Sequence, residues 1–304
     1  MKTKLFVMIG IVASGKSTIA KKVALENSAY IIESDEYRER LYGNASTQGN
    51  NTELFATIHE DIITLLQSGQ DVVFDATNIS RKTRVQLLEK LNKMDVDKIA
   101  ISCMTDVETC IAQNKMRERQ VPEHVIYRMW KTFNVPVYAE GWDYIQVFYN
   151  YNPEKYSVED YLFRIKDFDQ DNPHHSKTLG GHVADVGESL GGYGFVYRLI
   201  GLLHDNGKEY TKARKDIRGN DTEMSHYYQH AEVGAYESMF YLKQYVDRDM
   251  ISFDESLFIA GAILYHMRPY QLKSAKSINK LVDTIGEEMF KAVMLLNDAD
   301  RKAH

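Results

Sequence analysis

A chain of 304 residues, 44% apolar and 26% charged, is composed like a folded globular protein and is long enough for two hydrophobic cores. A net charge of −6 argues against indiscriminate polyanion binding, though not against a nucleic-acid end gripped by local basic groups. No apolar run is long enough to span a membrane, no signal peptide is expected before the first strand, and Cys103 and Cys110 read as reduced, buried thiols, so the expectation is a cytoplasmic protein with no membrane partner.

The first element is an apolar strand, Lys4 to Ile9, that breaks into Gly10-Ile11-Val12-Ala13-Ser14-Gly15-Lys16-Ser17-Thr18 and then a helical pattern. Strand, Gly-to-Gly-Lys-Ser loop and helix in that order are the context of a phosphate-binding loop. Gly10 and Gly15 let the backbone curl around a polyphosphate with its N–H groups inward, and Lys16 would reach the β- and γ-phosphates. Ser17 would hold Mg²⁺, and Ser14 and Thr18 complete the loop that takes ATP or another nucleoside triphosphate.

A second strand, Ala29 to Glu33, leads into Ser34-Asp35-Glu36-Tyr37-Arg38. In a parallel α/β sheet the carboxyl ends of strands surround the nucleotide, so Asp35 and Arg38 fall where an acceptor would lie. Asp35 could accept a hydroxyl proton and Arg38 pair with a phosphate; equally, Asp35 could be a helix N-cap and Arg38 a solvated cation. A polar loop, Gly43 to Asn51, precedes an amphipathic helix from Thr52 to Gln67 and a buried strand, Asp71 to Asp75, ending in an acid, with Ala76-Thr77-Asn78 at the same edge. A helix over Arg81–Lys93, a strand over Lys98–Cys103, a helix over Val107–Arg119 and a last strand, Tyr144–Tyr149, continue the alternation. Lys115, Arg117 and Arg119 at the end of that helix are either ordinary C-terminal charges or a lid that brings an arginine onto the transferring phosphate.

Gly10 to Ser17, Ser34 to Arg38, Asp75 to Asn78 and Asn114 to Val121 together resemble the 5′-hydroxyl polynucleotide kinase domain of phage and bacterial end-healing enzymes, over residues 1 to 150. The resemblance implies an α/β P-loop kinase with Asp35 as general base, Arg38 as acceptor-phosphate clamp, Arg117 (or Arg119) as lid arginine, and Thr77 and Asn78 near the acceptor.

Tyr151 to Lys155 reads as the boundary, giving domains 1–152 and 153–304, the second all-α from Val158 onward. Seven of the ten histidines lie between His174 and His266. His182 sits on an apolar-periodic helix, His204-Asp205 closes another, and His230, His266 and the acids Asp298 and Asp300 come later; an adjacent His-Asp pair with further candidates points to a metal site. Lys212, Arg214 and Lys215 form a basic stretch beyond Lys208, either a solvated loop or a hold on a polynucleotide end.

His182, His204-Asp205 and Asp298 resemble the ligand set of the HD phosphohydrolase superfamily, with Asp300 the alternative last ligand. Asn172 to Thr178, Leu202 to Lys208 and His226 to Val233 look like the HD domain attached to some tRNA nucleotidyltransferases, with Asn206 standing where an aliphatic residue is usual. The resemblance implies one or two divalent metals such as Mn²⁺, Asp205 at the centre of a phosphoester hydrolysis, His230 and His266 completing a second metal site or touching phosphate, and Lys208 on the substrate. Together the two halves imply a bifunctional healer of RNA or DNA ends, cleaved tRNA included. It would phosphorylate 5′-hydroxyls, remove 3′-phosphate or 2′,3′-cyclic phosphate, and act before a separate RNA ligase. The alternative is a small-molecule kinase fused to a nucleotide phosphohydrolase.

Overall fold

The computed structural model describes residues 2–44, 50–173 and 176–303. The motif histidines His174 and His175, and part of the polar loop after Gly43, lie outside the described residues. The chain folds as two compact units, Met1–Ile126 with Tyr138–Asn150, and Tyr127–Val137 with Tyr151–His304. The second unit thus takes in a segment, Tyr127–Val137, from within the stretch that the sequence assigns to the first domain.

The first unit is a five-stranded parallel sheet flanked by helices, the P-loop kinase fold. Its elements in chain order are β1 (Thr3–Ile9), α1 (Lys16–Asn27), β2 (Tyr30–Glu33), α2 (Ser34–Tyr42), α3 (Asn51–Gln67), β3 (Val72–Asp75), α4 (Arg81–Leu91), β4 (Val96–Thr105), α5 (Val107–Lys115) and β5 (Tyr144–Asn150); α6 (Glu123–Lys131) begins in it and passes into the second unit at Tyr127. The strand order is β2-β3-β1-β4-β5. β1 and β3 are nearly continuous apolar runs because both faces of a parallel sheet are covered by helices. The order reverses at β1, and there the carboxyl ends of neighbouring strands open a crevice for ligand.

Two sequence expectations change here. α5 stops at Lys115, so Arg117 and Arg119 lie on the following loop rather than a helix end. Asp35 is a residue of the first turn of α2, whose N-cap is Glu33, so its carboxylate does not cap the helix.

The second unit is helical: α7 (Val158–Ile165), α8 (Leu179–Gly191), α9 (Phe195–Leu203), α10 (Lys208–Thr211), α11 (His230–Asp247), α12 (Phe253–Tyr265), α13 (Ala275–Ile285) and α14 (Glu287–Lys302). Between α10 and α11 an antiparallel hairpin of β6 (Ala213–Lys215) and β7 (Asp221–His226) interrupts what the sequence presents as continuous helix. α9 packs on α8 and α12, α11 on α12, and α14 on α8, α9 and α12. Among the described residues no helix is long and apolar enough to cross a membrane.

Candidate functional sites: a phosphate-binding loop and a histidine-aspartate cluster

In the first unit, Gly10 donates its N–H to the Thr77 carbonyl at 2.9 Å, tying the loop after β1 to the end of β3. A Cβ on Gly10 would stand 2.5 Å from Ser14 Oγ and 3.1 Å from the Cys103 carbonyl, so the loop closes tightly only around glycine. Ala13 and Gly15 both have positive φ, 61° and 86°, and curl the loop toward the start of α1. Lys16 is buried, and its ammonium donates to the Ile11 carbonyl at 2.7 Å. Burial lowers its pKa and the nearby Asp75 carboxylate opposes that, while Arg117 adds repulsion, which places Arg117 within electrostatic reach of the phosphate-binding lysine. Ser14 Oγ is buried without a hydrogen-bond partner, as expected of a group facing an anion site, and Ser17 and Thr18 are exposed on the first turn of α1. These residues suit a Mg²⁺–nucleotide: a compact ammonium, a hydroxyl at a helix start, and the buried acid Asp75 at the end of the neighbouring strand.

On the acceptor side Arg119 donates to Asp35 Oδ2 at 3.1 Å, and Arg38 donates to Asn51 Oδ1 at 2.9 Å. The lid arginines therefore divide: Arg119 meets the candidate base, and Arg117 contributes only repulsion at Lys16. Their loop is closed by Asn114, buried at the end of α5, whose amide donates to the Val121 carbonyl (2.8 Å) and accepts the Val121 N–H (3.0 Å). Thr77 is half-buried. Asn78 corrects an expectation: its amide donates inward to the Met8 carbonyl at 2.9 Å, so it ties β1 to β3 instead of facing an acceptor.

In the second unit four imidazoles and two carboxylates from five separate parts of the chain converge. His182 Nε2 lies 3.3 Å from His204 Nε2, 3.5 Å from Asp205 Oδ2 and 3.1 Å from Asp300 Oδ1. His230 Nε2 lies 3.1 Å from His266 Nε2, and these two stand 3.5 and 3.8 Å from Asp205 Oδ1. Asp205 thus shows one oxygen to each pair of histidines.

Helix ends build the cluster. His204 and His266 follow the last residues of α9 and α12, where their Nδ1–H groups donate to the carbonyls of Gly201 (2.8 Å) and Ile263 (2.6 Å), three residues back. His230 opens α11 and donates likewise to Tyr227 O at 2.7 Å. A carbonyl can only accept, so in all three rings Nδ1 carries the proton and Nε2 turns inward. Facing lone pairs at about 3 Å repel unless a cation or proton lies between them. The two carboxylates ask for the same compensation: although burial lowers it, Asp205 and Asp300 raise the His204 pKa to about 10. His266, farther from Asp300, is pushed by burial and by His230 down to about 3. Burial opposes ionisation of Asp205, but Lys208 and His204 hold its carboxyl well below the usual range. Imidazole and carboxylate donors of this kind, three of the rings braced by a backbone acceptor, suit a divalent metal. His182, His204 and Asp205 would form one set, with Asp300 Oδ1 3.1 Å from His182 beside it; Asp205, His230 and His266 would form the other.

Asp298 does not belong to the cluster. It is exposed and ion-paired with Lys302 at 2.6 Å, while Asp300, two residues on, is buried. Tyr270, absent from the sequence reading, donates its hydroxyl to Asp300 Oδ2 at 2.6 Å, which orients that carboxylate. Lys208 is buried, with its ammonium 2.7 Å from Asp205 Oδ2 and 2.9 Å from Gln170 Oε1. The basic stretch runs from the end of α10 onto β6 and is largely engaged: Arg214 grips Asp171 with two bonds (2.7 and 3.0 Å), Lys215 pairs with Asp221 at 3.2 Å, and Lys212, just before the strand, bonds the Asp169 carbonyl. Cys103 and Cys110 are buried free thiols.

A family model described as an AAA domain matches residues 5–136. Among curated proteins none matches the sequence. Of the solved structures, a Pnkp1/Rnl/Hen1 RNA repair complex chain is 20% identical over 43% of this chain and 43% of its own, with a TM-score of 0.38. A gluconokinase from Sinorhizobium meliloti 1021 is 19% identical over 49% of this chain and 83% of its own, TM-score 0.37. The APS kinase CysC of Mycobacterium tuberculosis is 16% identical over 48% of this chain and 88% of its own, TM-score 0.35. The chain therefore spans under half of the repair-complex chain that it matches. The first unit is a P-loop kinase domain by its fold and its loop.

Proposed function

We propose that this protein heals broken polynucleotide ends, RNA foremost, by phosphorylating the 5′-hydroxyl and clearing the 3′-phosphate or 2′,3′-cyclic phosphate. In the first unit, Lys16 and the loop N–H groups hold the polyphosphate of ATP, and Ser17 its Mg²⁺. Asp35 takes the proton of the 5′-hydroxyl, Arg38 clamps the acceptor's own phosphate, and Arg117 and Arg119 close over the transfer.

In the second unit, divalent metals such as Mn²⁺ would supply charge neutralisation and an activated water for phosphoester hydrolysis. The chain's own residues do the rest: the backbone carbonyls fix the rings, Tyr270 orients Asp300, and Lys208 brings a positive charge to the rim of Asp205. The observation that carries this reading is Asp205, whose two oxygens serve two pairs of imidazoles in a chain that also holds a phosphate-binding loop. A separate RNA ligase is the expected partner, since ligation needs the two ends that these reactions produce.

The test is an oligoribonucleotide with a 5′-hydroxyl and a 2′,3′-cyclic phosphate, incubated with ATP and Mg²⁺ or Mn²⁺ and resolved by mass. Gain of phosphate at the 5′ end with its loss at the 3′ end is expected. Turnover of free nucleosides and nucleotides, with both oligonucleotide ends unchanged, would replace this reading by metabolic chemistry at the same two sites.

A further inference from the structure

Strand β7 ends at His226, and the alternation of its last side chains carries on through Tyr227 and Tyr228 to the turn before the cluster residue His230. Ser225 and Tyr227 are buried; His226 and Tyr228 point the other way, and Tyr228 is 42% exposed. The inward pair pins the segment: Ser225 Oγ donates to Asp171 at 2.8 Å, Tyr227 donates its hydroxyl to the Gln170 carbonyl at 2.5 Å, and the Lys208 ammonium lies 5.4 Å from the Tyr227 ring centroid. The outward pair stacks, with ring planes 11° apart and centroids at 5.4 Å. Phe133, Tyr236 and Phe240, all fully buried in this unit, meet differently: Phe133–Tyr236 at 78° and Tyr236–Phe240 at 72°. Edge contact is what ring quadrupoles favour in a packed interior, whereas parallel rings at a surface leave an outer face free for a further flat ring.

Next to Tyr228, Gln229 holds φ at +66°, a left-handed conformation that is unfavourable for its side chain, and the chain then enters α11 at His230. Tyr228 stands two residues from a cluster histidine whose Nδ1–H donates to the backbone carbonyl of Tyr227, the residue between the stacked rings. β6 pairs with this strand, Ala213 opposite His226, so only a methyl group stands beside the stacked rings in the neighbouring strand, and Arg214 turns to the other face, where it grips Asp171.

We propose that His226 and Tyr228 form a stacking platform for the nucleobase at the 3′ end of a single-stranded polynucleotide, holding the terminal phosphate at the histidine-aspartate cluster. This rests on the polynucleotide reading of the second unit. A platform of this kind is tolerant of sequence, because every base offers a π face, and it separates polynucleotide ends from phosphoesters that lack a base.

The test uses the full chain and an oligoribonucleotide carrying 2-aminopurine at its 3′-terminal nucleotide, with a 3′-phosphate. Quenching of the fluorophore on binding is expected, abolished by Tyr228→Ala and kept by Tyr228→Phe. In steady state, Tyr228→Ala should raise KM for this substrate about tenfold with little change in kcat, and leave hydrolysis of glycerol 2-phosphate, which brings no flat ring, as in the parent. Removal of the 3′-phosphate with no quenching, and with KM unchanged in Tyr228→Ala, overturns the platform while end healing stands. Tyr228-dependent quenching without any 3′-phosphate removal upholds the platform and overturns the phosphatase instead.

Discussion

Gly187 of α8 and Gly201 of α9 meet backbone to backbone: a Cβ on Gly201 would stand 2.7 Å from Gly187 Cα. That approach brings His182, earlier on α8, and His204, just past α9, to 3.3 Å between their Nε2 atoms. Backbone cannot yield as a flexible side chain can. Gly201→Ala should therefore force the two helices apart, costing at least about 1–3 kcal/mol and spoiling the His182–His204 set. A lowered melting temperature together with loss of bound divalent metal, measured by elemental analysis, is expected; unchanged metal content would show that the helix crossing does not set the donor geometry.

The phosphate-binding loop is legible because its parts are contiguous: strand, glycines, lysine and helix lie within residues 4 to 18, and local geometry alone dictates their placement. The acceptor edge is legible only to the level of which strand ends gather. That Arg119 rather than Arg117 meets Asp35 depends on where α5 stops, and Asn114 decides that by reaching forward to Val121. The cluster is half-legible. His204-Asp205 announces itself, but the last acid turns on helical phase. Met289, Val293 and Leu296 form the buried stripe of α14, and Asp300, four residues after Leu296, continues it while Asp298 does not. Following that 3.6-residue period through to the end of the helix would have selected Asp300. Tyr270 and the β6–β7 hairpin leave no such trace: one joins the cluster from a short turn, and the strands of the other are too polar to alternate visibly.

The phase argument is directly testable. Asp300→Asn removes a charge from among four imidazoles and should abolish metal-dependent hydrolysis. Tyr270→Phe, which deletes only the hydrogen bond that orients Asp300, should weaken metal affinity by roughly 10–100-fold. Asp298→Asn breaks an exposed pair with Lys302 and should change stability by less than about 0.5 kcal/mol. Metal titration of the three variants separates these outcomes, and loss of metal in Asp298→Asn would reverse the assignment.

Asn114→Ala removes both bonds to Val121 and leaves its backbone groups to find water, a penalty of about 1–3 kcal/mol falling on the lid loop. The loop carries the arginines, while the nucleotide rests chiefly on the strand–loop–helix of residues 9–18. The expected signature is thus a fall in kinase kcat with KM for ATP nearly unchanged, and metal-dependent phosphohydrolysis at the parent rate. A rise in ATP KM as large as the fall in kcat would mean that the loop grips ground-state nucleotide and does not act at transfer.

Behind the phosphate-binding loop lies a buried chain of hydrogen bonds. Trp142 donates to Glu140 at 3.0 Å, and Arg84 forks onto the same carboxylate at 2.7 and 2.5 Å; its remaining arm donates to the Asn78 carbonyl at 2.9 Å. Asn78, at φ 45°, holds the Met8 carbonyl, and the preceding carbonyl, of Thr77, accepts the Gly10 N–H. Both charged side chains of the pair are fully buried. Glu140→Gln would strand the guanidinium in the interior and should cost about 3–5 kcal/mol. Replacing the pair together, Arg84→Met with Glu140→Leu, leaves no buried charge but strands the Trp142 N–H and the Asn78 carbonyl, about 1–3 kcal/mol each, so the double variant should fold with reduced stability. It still lacks the bond that holds Asn78 in its left-handed conformation. If that bond positions the loop, the double variant will fold yet show a raised KM for ATP, measured below its melting temperature. A folded double variant with parental ATP KM would mean that the phosphate-binding loop keeps its shape without support from Arg84.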